Sequence, residues 1–244
     1  MVNQNFISGA IHALRRLAAV SASYDERHVE RQPAGEQHRD FVGGMWDAIG
    51  RLQFDFMRER GLSHEMVFVD IGCGCFRGGV HFIRFLDAGH YYGLEMNQTL
   101  IDLGFEKELK PAGLAEKLPR ENCLCNDVFD FIGLGSVRFD MALALSVFTH
   151  LNFNQIRLCL ERLAPQMKEG GSFYASFFER SPTGTTGDSL YHELGGVTSY
   201  GAKDPYHYSV DDLLYAAKNL SWSVSYIGTW GHPRDQRMIC FTKT

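Results

Sequence analysis

Asp70 closes an apolar run, Gly72 and Gly74 follow it within "DIGCGC", and Glu95 ends the next apolar run, "YYGLE". Glycine accepts backbone conformations and close approaches that a Cβ would forbid. A Gly-x-Gly turn after a strand therefore brings bare peptide groups against a ligand. The free N–H groups of the helix that follows add positive potential to the same crevice. In doubly wound sheets, an acidic residue about 20 positions downstream of such a turn binds ribose hydroxyls. Glu95 comes 25 positions after Asp70. The combination reads as a site for an adenosine-containing ligand with a free ribose.

Two ligand classes are compatible with that site. A nicotinamide or flavin dinucleotide brings a pyrophosphate and calls for G-x-G-x-x-G. Counted from Gly72, the third glycine of that pattern falls on Arg77. S-adenosylmethionine has no phosphate, and its methionine end carries an ammonium and a sulfonium. An acid ahead of the turn suits such a cation and repels a pyrophosphate, so Asp70 tips the balance toward S-adenosylmethionine. A nucleotide-dependent oxidoreductase, and a non-catalytic cofactor-binding protein on the same fold, are the alternatives, because a fold does not dictate chemistry.

The 244 residues, 45% of them apolar, suffice for one to two domains with a sizeable core. A formal charge of −5 without basic runs argues against nucleic acid as a partner. Six cysteines stand at 73, 75, 123, 125, 159 and 240, and their C-x-C spacings do not match a zinc site. Unpaired thiols fit a reducing cytoplasm, and no metal is expected. Arg15 and Arg16 interrupt the apolar "NFISGAIHALRRLAAV", which makes it a poor signal peptide. The expectation is a cytoplasmic protein without stable membrane association, and nothing in the sequence opposes a homodimer.

The elements that must position these residues alternate after Gly61. Strands are expected at Met66–Ile71, Tyr91–Glu95, Asn122–Cys125, Phe139–Leu145 and Gly171–Phe177, with helices at Gly79–Leu86, Gln98–Phe105 and Asn154–Met167. Near-continuous apolar runs such as "FDMALAL" suit parallel strands covered on both faces. Strand and helix in alternation imply a doubly wound sheet. "SVDDLLYAAKNL" carries Ser209 as N-cap with Asp212 three residues on. "WSVSYIG" and "RMICFTK" are joined by too few residues for a crossover helix, which predicts an antiparallel hairpin at the end of the sheet. Upstream, Met45, Ile49, Leu52 and Phe56 share one helical face, with Gly61 as the stop. Ile7, Ile11, Leu14 and Ala18 also fall at helical spacing, ahead of a polar loop over 23–40. Residues 1–60 are thus expected as an N-terminal helical segment or lid. Residues 61–244 are expected as a core, with an acceptor-side loop over about 179–208.

Together, "VDIGCGCFRGG", "YYGLEMN", "ND" at 126–127 and "FDMALALSVFTHL" resemble the S-adenosylmethionine-dependent methyltransferases with the Rossmann-like fold, over Gly61 to Thr244. The resemblance implies an α/β, doubly wound, mostly parallel seven-stranded sheet with an antiparallel C-terminal strand. It also implies that Gly72, Cys73 and Gly74 line the cofactor's methionine and ribose, and that Asp70 approaches the methionyl ammonium. Glu95 would hold the ribose hydroxyls and Met96 pack on the adenine, while Asp127 and the Val128 N–H would take its edge. Ser146 would lie near the methionine end. Phe76 departs from the pattern, since many members have glycine there.

Methyl transfer is an in-line displacement at a carbon already activated by the sulfonium, and an oxygen or nitrogen acceptor gains from a base. Histidine suits that role near neutral pH. His207, before the C-terminal helix, is the first candidate and His150, after the fourth strand, the second, with His232 in the hairpin link also noted. Trp46, Tyr191, His192, Tyr206 and Tyr208 are candidates to line an acceptor pocket. The insert holds few cations, which favours a small-molecule acceptor over tRNA or DNA. The expected function is methyl transfer to an oxygen or nitrogen of a small molecule.

Overall fold

The structure is a computed structural model that describes residues 38–244. The helix expected around Ile7 to Ala18, and most of the loop expected after it, lie outside the described residues. Two helices lead in, α1 (His38–Phe41) and α2 (Trp46–Glu59). Alternating strands and helices follow: β1 (Phe68–Ile71), α3 (Gly79–Phe85), β2 (Tyr91–Glu95), α4 (Gln98–Gly104), β3 (Cys123–Cys125), β4 (Phe139–Ala144), α5 (Phe153–Leu163) and β5 (Met167–Glu179). The chain then forms β6 (Ser189–His192), β7 (Val197–Tyr200), β8 (His207–Tyr208), α6 (Val210–Ala217), β9 (Trp222–Thr229) and β10 (Arg237–Lys243).

The strand order is β3-β2-β1-β4-β5-β10-β9, and the two-residue β8 pairs in parallel with the end of β5. Only β10 runs against its neighbours β5 and β9. This is the expected doubly wound sheet with an antiparallel C-terminal strand, and β8 is an addition to it. Side chains alternate across the strands as the pleat demands. Val69, Ile71, Ala142 and Ala144 join α5 and α6 in one apolar cluster. Phe68, Met141 and Leu143 join Ile49, Phe56 and Met57 of α2, Phe82 of α3 and Ile101 of α4 in the other. The strands are apolar on both faces because each face is covered.

Local chemistry sets the ends of the elements. Gly61 takes φ +96 just past α2, where it was expected as the stop. Ser209 and Asp212 form a reciprocal capping box on α6, and Asn152 with Gln155 forms another on α5. Several elements differ from expectation, β5 for example running from Met167 to Glu179. The helix expected to reach Met167 ends at Leu163 and tightens into a 3₁₀ turn at Pro165, because proline supplies no N–H to continue it. α4 runs on into a π-helical turn over Phe105–Leu109. The segment expected as a loop over 179–208 contains the β6–β7 hairpin, which turns at Gly195-Gly196.

Candidate active site

β1 delivers Asp70 beside Gly93 of β2 and Leu143 of β4, and the chain turns at once. The turn is anchored by the Gly72 and Cys73 N–H groups, which donate to Leu94 O at 2.7 and 3.2 Å. Gly72 and Gly74 both adopt positive φ, +71 and +55. A Cβ on Gly72 would stand 2.4 Å from Val147 Cγ2, and one on Gly74 3.0 Å from Val42 Cγ1. No other residue type suits both the dihedrals and the space.

The third turn position is Phe76, which holds φ +68, a left-handed conformation that glycine adopts without strain. Its ring is fully buried and packs edge-on against Phe105 at 5.4 Å and Tyr91 at 6.2 Å. Gly79 and Gly104 leave the room: a Cβ on Gly104 would lie 2.5 Å from Phe76 Cδ2. Phe76 is therefore a core residue beneath the turn, and it is not exposed toward a ligand.

Glu95 ends β2 and reaches back to the turn. Its Oε2 accepts the Gly74 N–H at 3.0 Å and its Oε1 the Asn97 N–H at 3.0 Å. Burial raises this carboxyl above the usual range while the two N–H bonds oppose the shift. Asp70 is buried deeper. Burial pushes its carboxyl up to about 7, against the Tyr91 hydroxyl, which donates to Oδ2 at 2.9 Å, and the charge of Arg77. Two acids thus stand at the strand tips on either side of the turn, held differently. Cys73 is buried against Gly93, and burial keeps its thiol protonated.

Beyond β3, Asp127 is exposed, and the Val128 N–H donates to Asn126 Oδ1 at 3.3 Å. Met96 is 38% exposed beside Glu95. Ser146, at the tip of β4, adopts φ +60; its N–H donates to Ser176 Oγ at 2.7 Å and its hydroxyl to Gln236 Oε1 at 3.0 Å. Ser176 also donates to Gln236 Oε1 at 2.7 Å, so a polar network joins the ends of β4, β5 and β10. Ser176 and Gln236 were missed from sequence because neither lies in a motif.

The histidines divide into two settings. His150 Nδ1 lies 2.8 Å from Asp204 Oδ1 and the ring is half-exposed. His207 is 1% exposed, and its Nδ1 meets Ser199 Oγ at 3.0 Å. The same hydroxyl lies 2.8 Å from His192 Nε2, and the His192 ring stacks on Phe178 at 4.2 Å. Burial holds both rings of this His192–Ser199–His207 chain below the usual histidine range. Tyr208 is buried with its hydroxyl donating to Leu151 O, and its ring stacks on Tyr206 at 6.3 Å. Tyr191 is 66% exposed.

A strap over Val42–Gly44 meets the turn from the other side. Arg77 Nη1 donates to Val42 O at 2.9 Å and Gly44 O at 3.0 Å, and Arg234 Nη2 to Gly43 O at 2.5 Å. α1, just before the strap, is fixed by Glu108, which accepts from Arg39 through both oxygens at 2.7 Å and lies 2.6 Å from His38 Nε2. Trp46, just after the strap, is half-buried under the Arg39 guanidinium at 4.7 Å. Among the described residues no group of three metal-ligating side chains occurs, and no helix is long and apolar enough to cross a membrane.

No family model matches the sequence. Solved structures do match in fold. The magnesium protoporphyrin IX methyltransferase of Synechocystis PCC 6803 with bound S-adenosylhomocysteine is 13% identical, with a TM-score of 0.57 over 92% of this chain and 95% of that one. A sugar N-methyltransferase of Streptoalloteichus is 16% identical, with a TM-score of 0.59 over 87% and 95%. The CcbJ methyltransferase of Streptomyces caelestis is 13% identical, with a TM-score of 0.59 over 83% and 98%. At these identities the likeness is one of architecture, and the architecture of this chain is the Rossmann-like methyltransferase fold.

Proposed function

We propose that this protein is an S-adenosylmethionine-dependent methyltransferase acting on an oxygen or nitrogen of a small molecule. The observation that carries the reading is the pairing of Glu95 with the Gly72–Gly74 turn: a buried carboxylate at the β2 tip, bonded to the Gly74 N–H, in a turn whose glycines are sterically required. The same turn is ill suited to a pyrophosphate, because Asp70 lies directly behind it. The solved neighbour with bound S-adenosylhomocysteine shares the fold and adds weight to this choice.

In this reading, Gly72, Cys73 and Gly74 supply the floor under methionine and ribose. Asp70 faces the methionyl ammonium and Glu95 the ribose hydroxyls. Met96, Asp127 and Val128 flank the adenine, with the Val128 N–H leaving Asn126 to reach it. Ser146 stands at the methionine end. The cofactor supplies the activated methyl, and the protein aligns the acceptor and excludes water. The strap and Trp46 serve as the lid of an N-terminal segment, and the β6–β7 hairpin flanks the acceptor. We assign the base to His150 ahead of His207. With Nδ1–H donated to Asp204, the lone pair of His150 sits on Nε2, where it can take a proton from the acceptor. His207 and His192 are buried in their shared chain and hold the hairpin in place.

Titration calorimetry with S-adenosylhomocysteine and NADH tests the reading. Saturable binding of S-adenosylhomocysteine alone is expected, and binding of NADH alone would overturn it.

A further inference from the structure

We infer that the link between β9 and β10, together with the glycine turn, forms an oxyanion subsite built from Arg77, Arg234, Trp230 and His232, which takes a carboxylate or phosphate group. The inference deepens the methyl-transfer reading and rests on it only for which molecule brings the anion.

Two buried side-chain atoms in this region have no partner, His232 Nε2 and Trp230 Nε1, and two arginines stand beside them. Arg77 and Arg234 form no ion pair among the described residues; both donate to peptide carbonyls of the strap. Their charges repel, and burial with the field of Arg234 pushes Arg77 down to about 10. Asp70, whose field reaches Arg77, is committed to the Tyr91 hydroxyl. A desolvated cation without a counter-charge is costly, and the partly buried Arg234 beside Arg77 adds to that cost.

The neutral donors add to the same local excess. His232 Nδ1 accepts the Arg234 backbone N–H at 3.2 Å, so the ring proton sits on Nε2. Burial and the charges of Arg234 and Arg77 push this ring down to about 3, which keeps it neutral. The side chain is 4% exposed and Nε2 has no partner. Trp230 Nε1, an obligate donor, is also buried without a partner, and its ring centroid lies 5.3 Å from that of His232. Phe56 packs on Trp230 at 5.3 Å and orients the indole. Buried donors normally find acceptors. Two N–H donors that lack an acceptor, beside two guanidinium groups that lack a counter-charge, are together satisfied by one oxyanion, with charge-assisted bonds to arginine.

Titration calorimetry of the full chain with sodium phosphate, at constant ionic strength made up with sodium chloride, tests this. Saturable phosphate binding is expected in the wild type, at least tenfold weaker in R234Q and several-fold weaker in W230F. Phenylalanine keeps the contact with Phe56, so W230F carries the test should R234Q fold poorly. The absence of saturable heat above the chloride control, or equal affinity in the wild type and both variants, would overturn the subsite. Repeating the titration with saturating S-adenosylhomocysteine separates the sources. Displacement of phosphate assigns the subsite to the cofactor's own carboxylate, and undiminished binding assigns it to an acid group on the acceptor. Failure of S-adenosylhomocysteine to bind at all would sink the cofactor reading and leave the phosphate result standing.

Discussion

Replacing Phe76 with glycine and with alanine should reverse the usual order of the two variants. In regular structure glycine is the less stable by roughly 0.5–1 kcal/mol, because it loses more backbone freedom on folding. Phe76 holds φ +68, where a residue with a Cβ carries a strain of about 1–2 kcal/mol. Both variants lose the same buried ring, with its contacts to Phe105 and Tyr91, and Gly79 and Gly104 offer no side chains to fill the gap. Truncating a buried phenylalanine to alanine costs about 3–5 kcal/mol, and the strain stays with the alanine. F76G sheds the strain and pays more chain entropy, leaving it more stable than F76A by up to about 1 kcal/mol. Urea denaturation followed by circular dichroism, with equal slopes for all three proteins, measures the difference. If F76G unfolds at lower urea than F76A, the left-handed turn is not what Phe76 occupies, and the account of the turn fails.

Glu95→Ala should weaken S-adenosylhomocysteine by about 1.5–3 kcal/mol in calorimetry, since it removes charged hydrogen bonds to the ribose; unchanged affinity removes Glu95 from that role. His150→Ala should lower kcat by about 10²–10⁴-fold with cofactor affinity intact, and Asp204→Asn should follow it part of the way; labelled-methyl turnover reads both, and full activity in H150A dismisses the base. Asp70 keeps its proton to about 7 in the folded chain but only to about 4 when unfolded, so stability falls as pH rises from about 4 to about 7, and Asp70→Asn should flatten that fall in pH-dependent melting. Binding of the cofactor ammonium should ionise Asp70, so calorimetry near pH 6 in buffers of different ionisation enthalpy should show a released proton that D70N abolishes.

What the sequence made legible is what the backbone decides locally. The glycine turn, the acid at the tip of β2, the stop at Gly61 and the cap at Ser209 each depend on a few neighbouring residues. The parallel, doubly covered sheet follows from strands that are apolar on both faces. The β6–β7 hairpin was hidden because its strands are four residues each and mix polar with apolar side chains; the Gly195-Gly196 pair was the one local signal. The His192–Ser199–His207 chain follows only once the hairpin is known, because Ser199 meets His192 within the hairpin and His207 from β8. Phe76 could not be assigned from sequence, since the space it fills is made by Gly79 and Gly104.

The strap and the β6–β7 hairpin are held by a different logic from the glycine turn. Gly43 and Arg234 are 191 positions apart, yet the Arg234 side chain touches the strap at Gly43 and lies against the hairpin turn at Gly195, where a Cβ would come within 2.7 Å of it. One side chain thus ties both the strap and the β6–β7 hairpin to the β9–β10 link. The bonds from Arg77 and Arg234 to the strap run from guanidinium to carbonyl, each worth about 1.5–3 kcal/mol at most. Val42 is the strap's only apolar side chain against the turn. Releasing the strap therefore costs far less than opening either apolar cluster, and an anion that draws the two arginines away from those carbonyls would supply part of that cost. A subsite for an oxyanion and a strap that yields over Gly74 are, on this geometry, two consequences of the same pair of arginines.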